Sequence, residues 1–83
     1  MIPIGNIQEG CIRMRSMKEI GAFVAKTRKA QGVSQLELSQ AADTGRRFIV
    51  ELEGGKDTIR AGKLLKVLDT LGIDITLTAP TGA

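Results

Sequence analysis

Apolar positions along the chain recur every three to four residues in four stretches and every second residue in one. Over 17–31, Met17, Ile20, Phe23, Val24 and Thr27 keep the longer spacing, and Lys18, Lys26, Arg28 and Lys29 fall elsewhere, which predicts an amphipathic helix. Ser16 precedes it and Glu19 follows three residues on. At that spacing a serine hydroxyl and a glutamate satisfy each other's unpaired backbone amides at a helix start. Gly32 is a natural stop. Ser34 and Glu37 repeat the same spacing and open a short second helix, ending near Ala41 or Ala42. Leu38, Ala41 and Ala42 supply its narrow apolar face, and Leu36 does not fit it. Asp43, Thr44 and Gly45 favour a tight turn. The third helix covers about Arg46 to Glu53, with Ile49 and Leu52 on one side and Arg46, Arg47, Val50 and Glu51 mostly on the other. Gly54 and Gly55 end it. The fourth runs from about Arg60 to Leu71. Its expected stripe is Ala61, Leu64, Leu65, Leu68 and Leu71, with Lys63, Lys66 and Asp69 outside and Gly72 as terminator.

The period then changes. Ile73 to Thr78 alternates apolar and polar residues strictly and is rich in β-branched side chains, which predicts a strand closed by Pro80. Residues 1–16 keep no clear period, and Pro3, Gly5 and Gly10 interrupt them. They read as a mobile tail, or, through Ile2 and Ile4, as a short added strand. Met14 and Met17 leave open a later translation start. Residues 79–83 read as a second tail.

Composition narrows the choice of function. The chain has 83 residues, enough for one domain with a small core, and such domains often gain stability from a second subunit. Aromatic content is 2%, Phe23 and Phe48 alone, which argues against stacking of single-stranded bases. One cysteine, Cys11, and no histidine exclude an intrachain disulfide and disfavour a zinc site. Cys11 receives no role, and no cofactor is expected. No apolar run is long enough to cross a membrane and no secretory signal is visible, so the cytoplasm is the default location. The net charge of +3 suits a nucleic-acid partner as well as it suits an ordinary solvated surface.

Two short helices joined by a three-residue turn suit a reader of double-stranded DNA. The first braces the second, and the second lies in the major groove. Such a helix needs long polar side chains at its start and apolar ones behind, as in Arg46-Arg47 followed by Ile49 and Leu52. From Gly32-Val33-Ser34-Gln35 through Leu38, and from Ile49 to Lys56 (IVELEGGK), the chain resembles the repressor/Cro-type regulators. The resemblance spans about Ile20 to Ile73. It implies a mainly α, four- to five-helix repressor-like helix-turn-helix domain over 17–72, with no catalytic activity. By matching position it implies base contacts from Gly45, Arg46, Arg47 and Glu51 and phosphate contacts from Gln35, Thr44 and Lys56. Glu53 matches the family's structural acid. The chain departs from the pattern at Asp43 and Gly45, where the family has Gly and then Ser or Thr, and at Ala42, where it has Leu. Asp43 must then accept a left-handed backbone. Phe48 either fills the space left at Ala42 or faces a thymine methyl.

A lone strand leaves its backbone unpaired. Pairing of 73–78 with its symmetry mate in a dimer solves this, with Ile73, Ile75 and Leu77 at the interface. A helix-turn-helix followed directly by such a strand resembles the HipB-like antitoxins. That resemblance implies a homodimer that represses its own operon and binds a HipA-type kinase toxin. The alternatives are a stand-alone regulator and a protein-interaction adaptor that has lost DNA binding. An enzyme is disfavoured, because no nucleophile–base pair or phosphate-binding loop is present.

Overall fold

A computed structural model describes residues 13–80. Four helices follow in order: α1 (Met17–Ala30), α2 (Gln35–Ala41), α3 (Arg46–Glu53) and α4 (Ala61–Leu71). The N-terminal tail expected over 1–16 lies outside the described residues except at its end, where Arg13 to Arg15 are irregular and Ser16 caps α1.

Local signals set the boundaries. The Ser16 hydroxyl accepts from the Glu19 amide at 3.2 Å, and the Glu19 carboxylate accepts from the Arg15 amide at 2.8 Å. At α2 the exchange is reciprocal: Ser34 Oγ accepts from the Glu37 amide at 3.0 Å and Glu37 Oε1 from the Ser34 amide at 2.8 Å. Those bonds hold the Glu37 carboxyl below its usual range, the backbone amide of Ser34 contributing most. Gly72, at φ 77°, ends α4 in the left-handed region. The side-chain Nε2 of Gln31, at the end of α1, donates to Leu71 O at 2.8 Å, so a residue at the end of one helix satisfies the end of another.

The core consists of Val24, Leu38, Ala42, Ile49, Leu52, Val67, Leu68 and Leu71. Met17, Ile20, Val33, Phe48, Ile59, Leu64 and Ile73 pack against it. Helix α3 lies between α1 and α2, and α4 closes the opposite side against the same pair. Phe48 packs against the core, and Lys63 Nζ stands 5.8 Å from its ring centroid.

Four expectations from the sequence are corrected. Arg28 is buried, because its partner Glu53 reaches it from α3. Val67 is fully buried, while Leu65 is half exposed and Ala61 exposed, because the inward stripe of α4 is Leu64, Val67, Leu68 and Leu71. Ala41 is exposed. The strand over Ile73 to Thr78 is not formed: no regular secondary structure follows α4 among the described residues. A strand exists only as one rail of a ladder, and among the described residues no second rail lies beside this one. Ile73 is partly buried on the core, Ile75 is exposed and Leu77 is 90% exposed.

Candidate nucleic-acid interface

The turn between α2 and α3 positions everything that follows. Asp43 takes φ 57°, the left-handed conformation its place in the turn requires. The Thr44 amide donates to Ser39 O at 2.8 Å and closes the turn. Gly45 caps α3 with an ordinary φ of −80°, without a side-chain bond, and a Cβ there would meet nothing within 4 Å. Glycine is therefore not sterically required at this cap.

The inner face of α3 is anchored by apolar burial, by close backbone approach and by ionic contact. Ile49 and Leu52 are fully buried. On α1, Gly21 meets the α3 backbone directly: a Cβ there would land on the Leu52 carbonyl oxygen and 3.2 Å from C and O of Glu53. Arg28 Nε donates to Glu53 Oε2 at 2.6 Å, its Nη2 to Oε1 at 3.0 Å, and its Nη1 to Val33 O at 2.8 Å. Gln35 Nε2 donates to the same Oε1 at 3.0 Å. Helices α1, α2 and α3 thus meet at one carboxylate. Burial pushes the Glu53 carboxyl up, but the bonds from Arg28 and Gln35 outweigh it and hold the group below the usual range. The hydrogen bond to Glu53 raises the Arg28 guanidinium, against its burial.

The outer face is charged and open. Arg46 is exposed, and the Arg47 side chain is 91% exposed. Glu51 lies one turn on, with Arg47 Nε 3.3 Å from its Oε2 and Lys56 Nζ 3.3 Å from its Oε1. The hydrogen bond from Lys56, then that from Arg47, holds the Glu51 carboxyl below its usual range. Lys56 reaches Glu51 because the chain doubles back after α3. Gly55 at φ 85° makes the bend, and the Lys56 amide donates to Glu51 O at 3.0 Å.

Of the residues expected at DNA, Gly45, Arg46, Arg47, Glu51 and Lys56 therefore gather on or beside the outer side of α3. Gln35 faces Glu53, with Arg46 across a shallow cleft that Ser34 and Leu36 also line. Thr44 is half-buried in the turn, its hydroxyl 3.4 Å from Gly45 O. Two further cations join the surface. Arg60 and Lys63 line an open groove with Arg47, Phe48 and Glu51. The sequence reading did not single them out. The available signal was a pair of basic residues three apart at the predicted start of α4, on one helix face. Among the described residues no acidic or cysteine cluster could hold a metal, and no helix is long and apolar enough to cross a membrane.

Comparison with known proteins agrees with this geometry. A family model described as helix-turn-helix matches residues 24–77. An uncharacterized HTH-type transcriptional regulator, y4mF of Sinorhizobium fredii, is 48% identical over 68 residues, which are 82% of this chain and 90% of the relative. Among solved structures, a HipA-HipB-O2-O3 complex contains a chain that superposes with a TM-score of 0.77 at 20% identity, covering 83% of this chain and 97% of that one. The clp gene regulator ClgR from C. glutamicum superposes with a TM-score of 0.64 at 26% identity, covering 75% and 80%.

Proposed function

This chain belongs to the Cro/C1-type helix-turn-helix family of DNA-binding transcriptional regulators, and on that premise we propose that it is a dimeric, sequence-specific repressor that autoregulates its operon as the antitoxin of a HipA-type kinase toxin. One observation carries the reading: Arg46 and Arg47 stand exposed on the first turn of a helix whose opposite face is locked into the core. The major groove is roughly 12 Å wide and admits one helix. With α3 in the groove, those arginines reach the base edges, where a guanidinium paired with guanine N7 and O6 discriminates by about 1–3 kcal/mol. Gly45 allows close approach at the helix start, and Glu51 lies within reach of a base one turn deeper. Gln35, Thr44 and Lys56 flank the helix, in the position of phosphate contacts that fix register without reading sequence.

Dimerisation rests on Ile73, Ile75 and Leu77. Ile75 and Leu77 expose large apolar side chains on a segment with no ladder partner of its own. Pairing with a symmetry mate would bury them and place two copies of α3 on one face of the duplex. The antitoxin role draws support from the likeness of fold to the chain in the HipA-HipB-O2-O3 complex.

Selection of duplexes from a random library with the full chain, followed by footprinting, tests the reading. Two half-sites about one helical turn apart are expected. No enriched sequence would refute DNA reading, and a single half-site would refute the dimer. Co-purification with the product of the adjacent gene tests the antitoxin role. A kinase-type partner is expected, and a neighbour of another kind would leave a stand-alone regulator.

A further inference from the structure

Helix α3 carries an apolar side chain on its charged outer face. At about 100° of rotation per residue, Val50 projects about 40° round from Arg46 and about 60° short of Arg47, so it falls between the two arginines. It is 45% exposed, while Ile49 and Leu52 on the other side are fully buried, and it is not among the side chains packed against the core. This is the face that, on the reading above, enters the major groove, and the inference rests on that reading. We propose that Val50 is a specificity-determining residue that reads the C5-methyl group of a thymine.

The major-groove edges of the bases offer hydrogen-bond donors and acceptors and one apolar feature, the thymine methyl. The isopropyl group of valine neither donates nor accepts. Seated against guanine N7 and O6, cytosine N4 or adenine N6 and N7, it takes water from those atoms and returns no bond. Seated against the thymine methyl, it removes apolar surface of both partners from water. The gain at thymine and the cost at the other bases differ in sign, so the contact discriminates. It complements the arginines beside it, which select guanine through directed hydrogen bonds.

The fold fixes where that contact falls. Valine in a helix keeps mainly one χ1 rotamer, so its methyl groups hold a set position without support from neighbours. Beneath it, the seat of α3 is set by Ile49, Leu52 and the Arg28–Glu53 pair. Phe48, the other apolar candidate for a thymine methyl, packs its ring against the core with Lys63 Nζ over it. Valine is also a weaker helix former than alanine, lysine or glutamate. At this exposure it adds little to the core, so neither local stability nor packing accounts for its place.

The test replaces thymines of the selected operator by deoxyuridine, one position at a time and symmetrically in both half-sites. That removes the C5-methyl and leaves every hydrogen-bonding group in place. Binding of the full chain and of Val50→Ala is measured on each duplex and on a random one, with thermal melting to check that V50A folds as the parent does. For the parent, deoxyuridine at one position is expected to weaken binding about fourfold per half-site, as for burial of about one methylene-sized group. V50A should lose a similar factor on the unmodified operator, be indifferent to deoxyuridine at that position, and bind the random duplex as the parent does. A parent insensitive to deoxyuridine everywhere would overturn the proposal, as would a V50A protein that keeps the parent's sensitivity at every position. Selected half-sites without a recurrent thymine, or an equal loss by V50A on operator and random duplex, would overturn it too. If the parent chain selects no duplex at all, the DNA-binding reading fails and the inference with it, and the parent alone tells that outcome apart from the others.

Discussion

Helix α3 contributes the glutamate of two arginine–glutamate pairs with opposite surroundings. Glu53 meets Arg28 with side chains 8% and 10% exposed, and Glu51 meets Arg47 with side chains 30% and 91% exposed. The ions are the same and the carboxylates stand two residues apart. In the first pair the desolvated charges depend on each other and on Gln35 to remain satisfied. In the second, water stands ready to replace either partner. Burial thus decides which pair holds the helix and which is free to trade its partner for another ligand.

The largest effect that distinguishes them is on folding. Glu53→Ala orphans a buried guanidinium, and the urea midpoint should fall by the equivalent of about 3 kcal/mol, the lower end of such costs because the pair lies at the edge of the core. Removal of Glu51 should leave the midpoint where it was. Equal losses in the two variants would break the comparison. The next effect is on DNA. Arg47→Ala should leave folding intact and reduce discrimination between operator and random duplex by about 1–3 kcal/mol in competition binding. A uniform loss on both duplexes would reassign Arg47 to the backbone. Salt should separate the pairs as well. Between roughly 50 and 200 mM, duplex affinity should fall steeply while the folding gap between wild type and E53A barely moves.

Acid reaches the buried pair more gradually. The folded Glu53 titrates below the usual carboxylate range, so the unfolded chain takes up its proton first as pH falls. The stability this group contributes is complete above the unfolded value of about 4.3 and is lost as pH drops through the folded one. Glu53→Gln should flatten that limb of a stability–pH curve, and an unchanged limb would show that Glu37 or Glu51 dominates it. The smallest effect concerns the start of α3. Gly45→Ser adds the missing cap in open space and should raise stability by a few tenths of a kcal/mol.

Helix boundaries were legible because their causes are local. Two serine–glutamate capping pairs and the stops at Gly32, Gly54-Gly55 and Gly72 act within a single turn of chain. The α4 stripe was misread where two patterns overlap. Leu64, Val67, Leu68 and Leu71 satisfy the spacing of three and four, and Leu65 lies one residue off that stripe. Arg28 looked like a solvated charge because its partner is 25 residues away. Glu53 was legible as structural through resemblance, but the bond network that makes it so was not. The strand depends on a ladder that the described residues do not provide. Gly21 was the missed signal, since a glycine inside a predicted helix costs about 1 kcal/mol against alanine and asks for a reason in packing.

That reason bears on how such a protein can diverge. Gly21 touches main-chain atoms of Leu52 and Glu53, not side chains. The depth at which α3 sits is therefore indifferent to what the helix displays at 46, 47, 50 and 51. A duplicated copy could exchange all four and recognise a new sequence while its reader kept the same seat. Recoding and folding are thereby separable problems in this domain, and a residue with no side chain separates them.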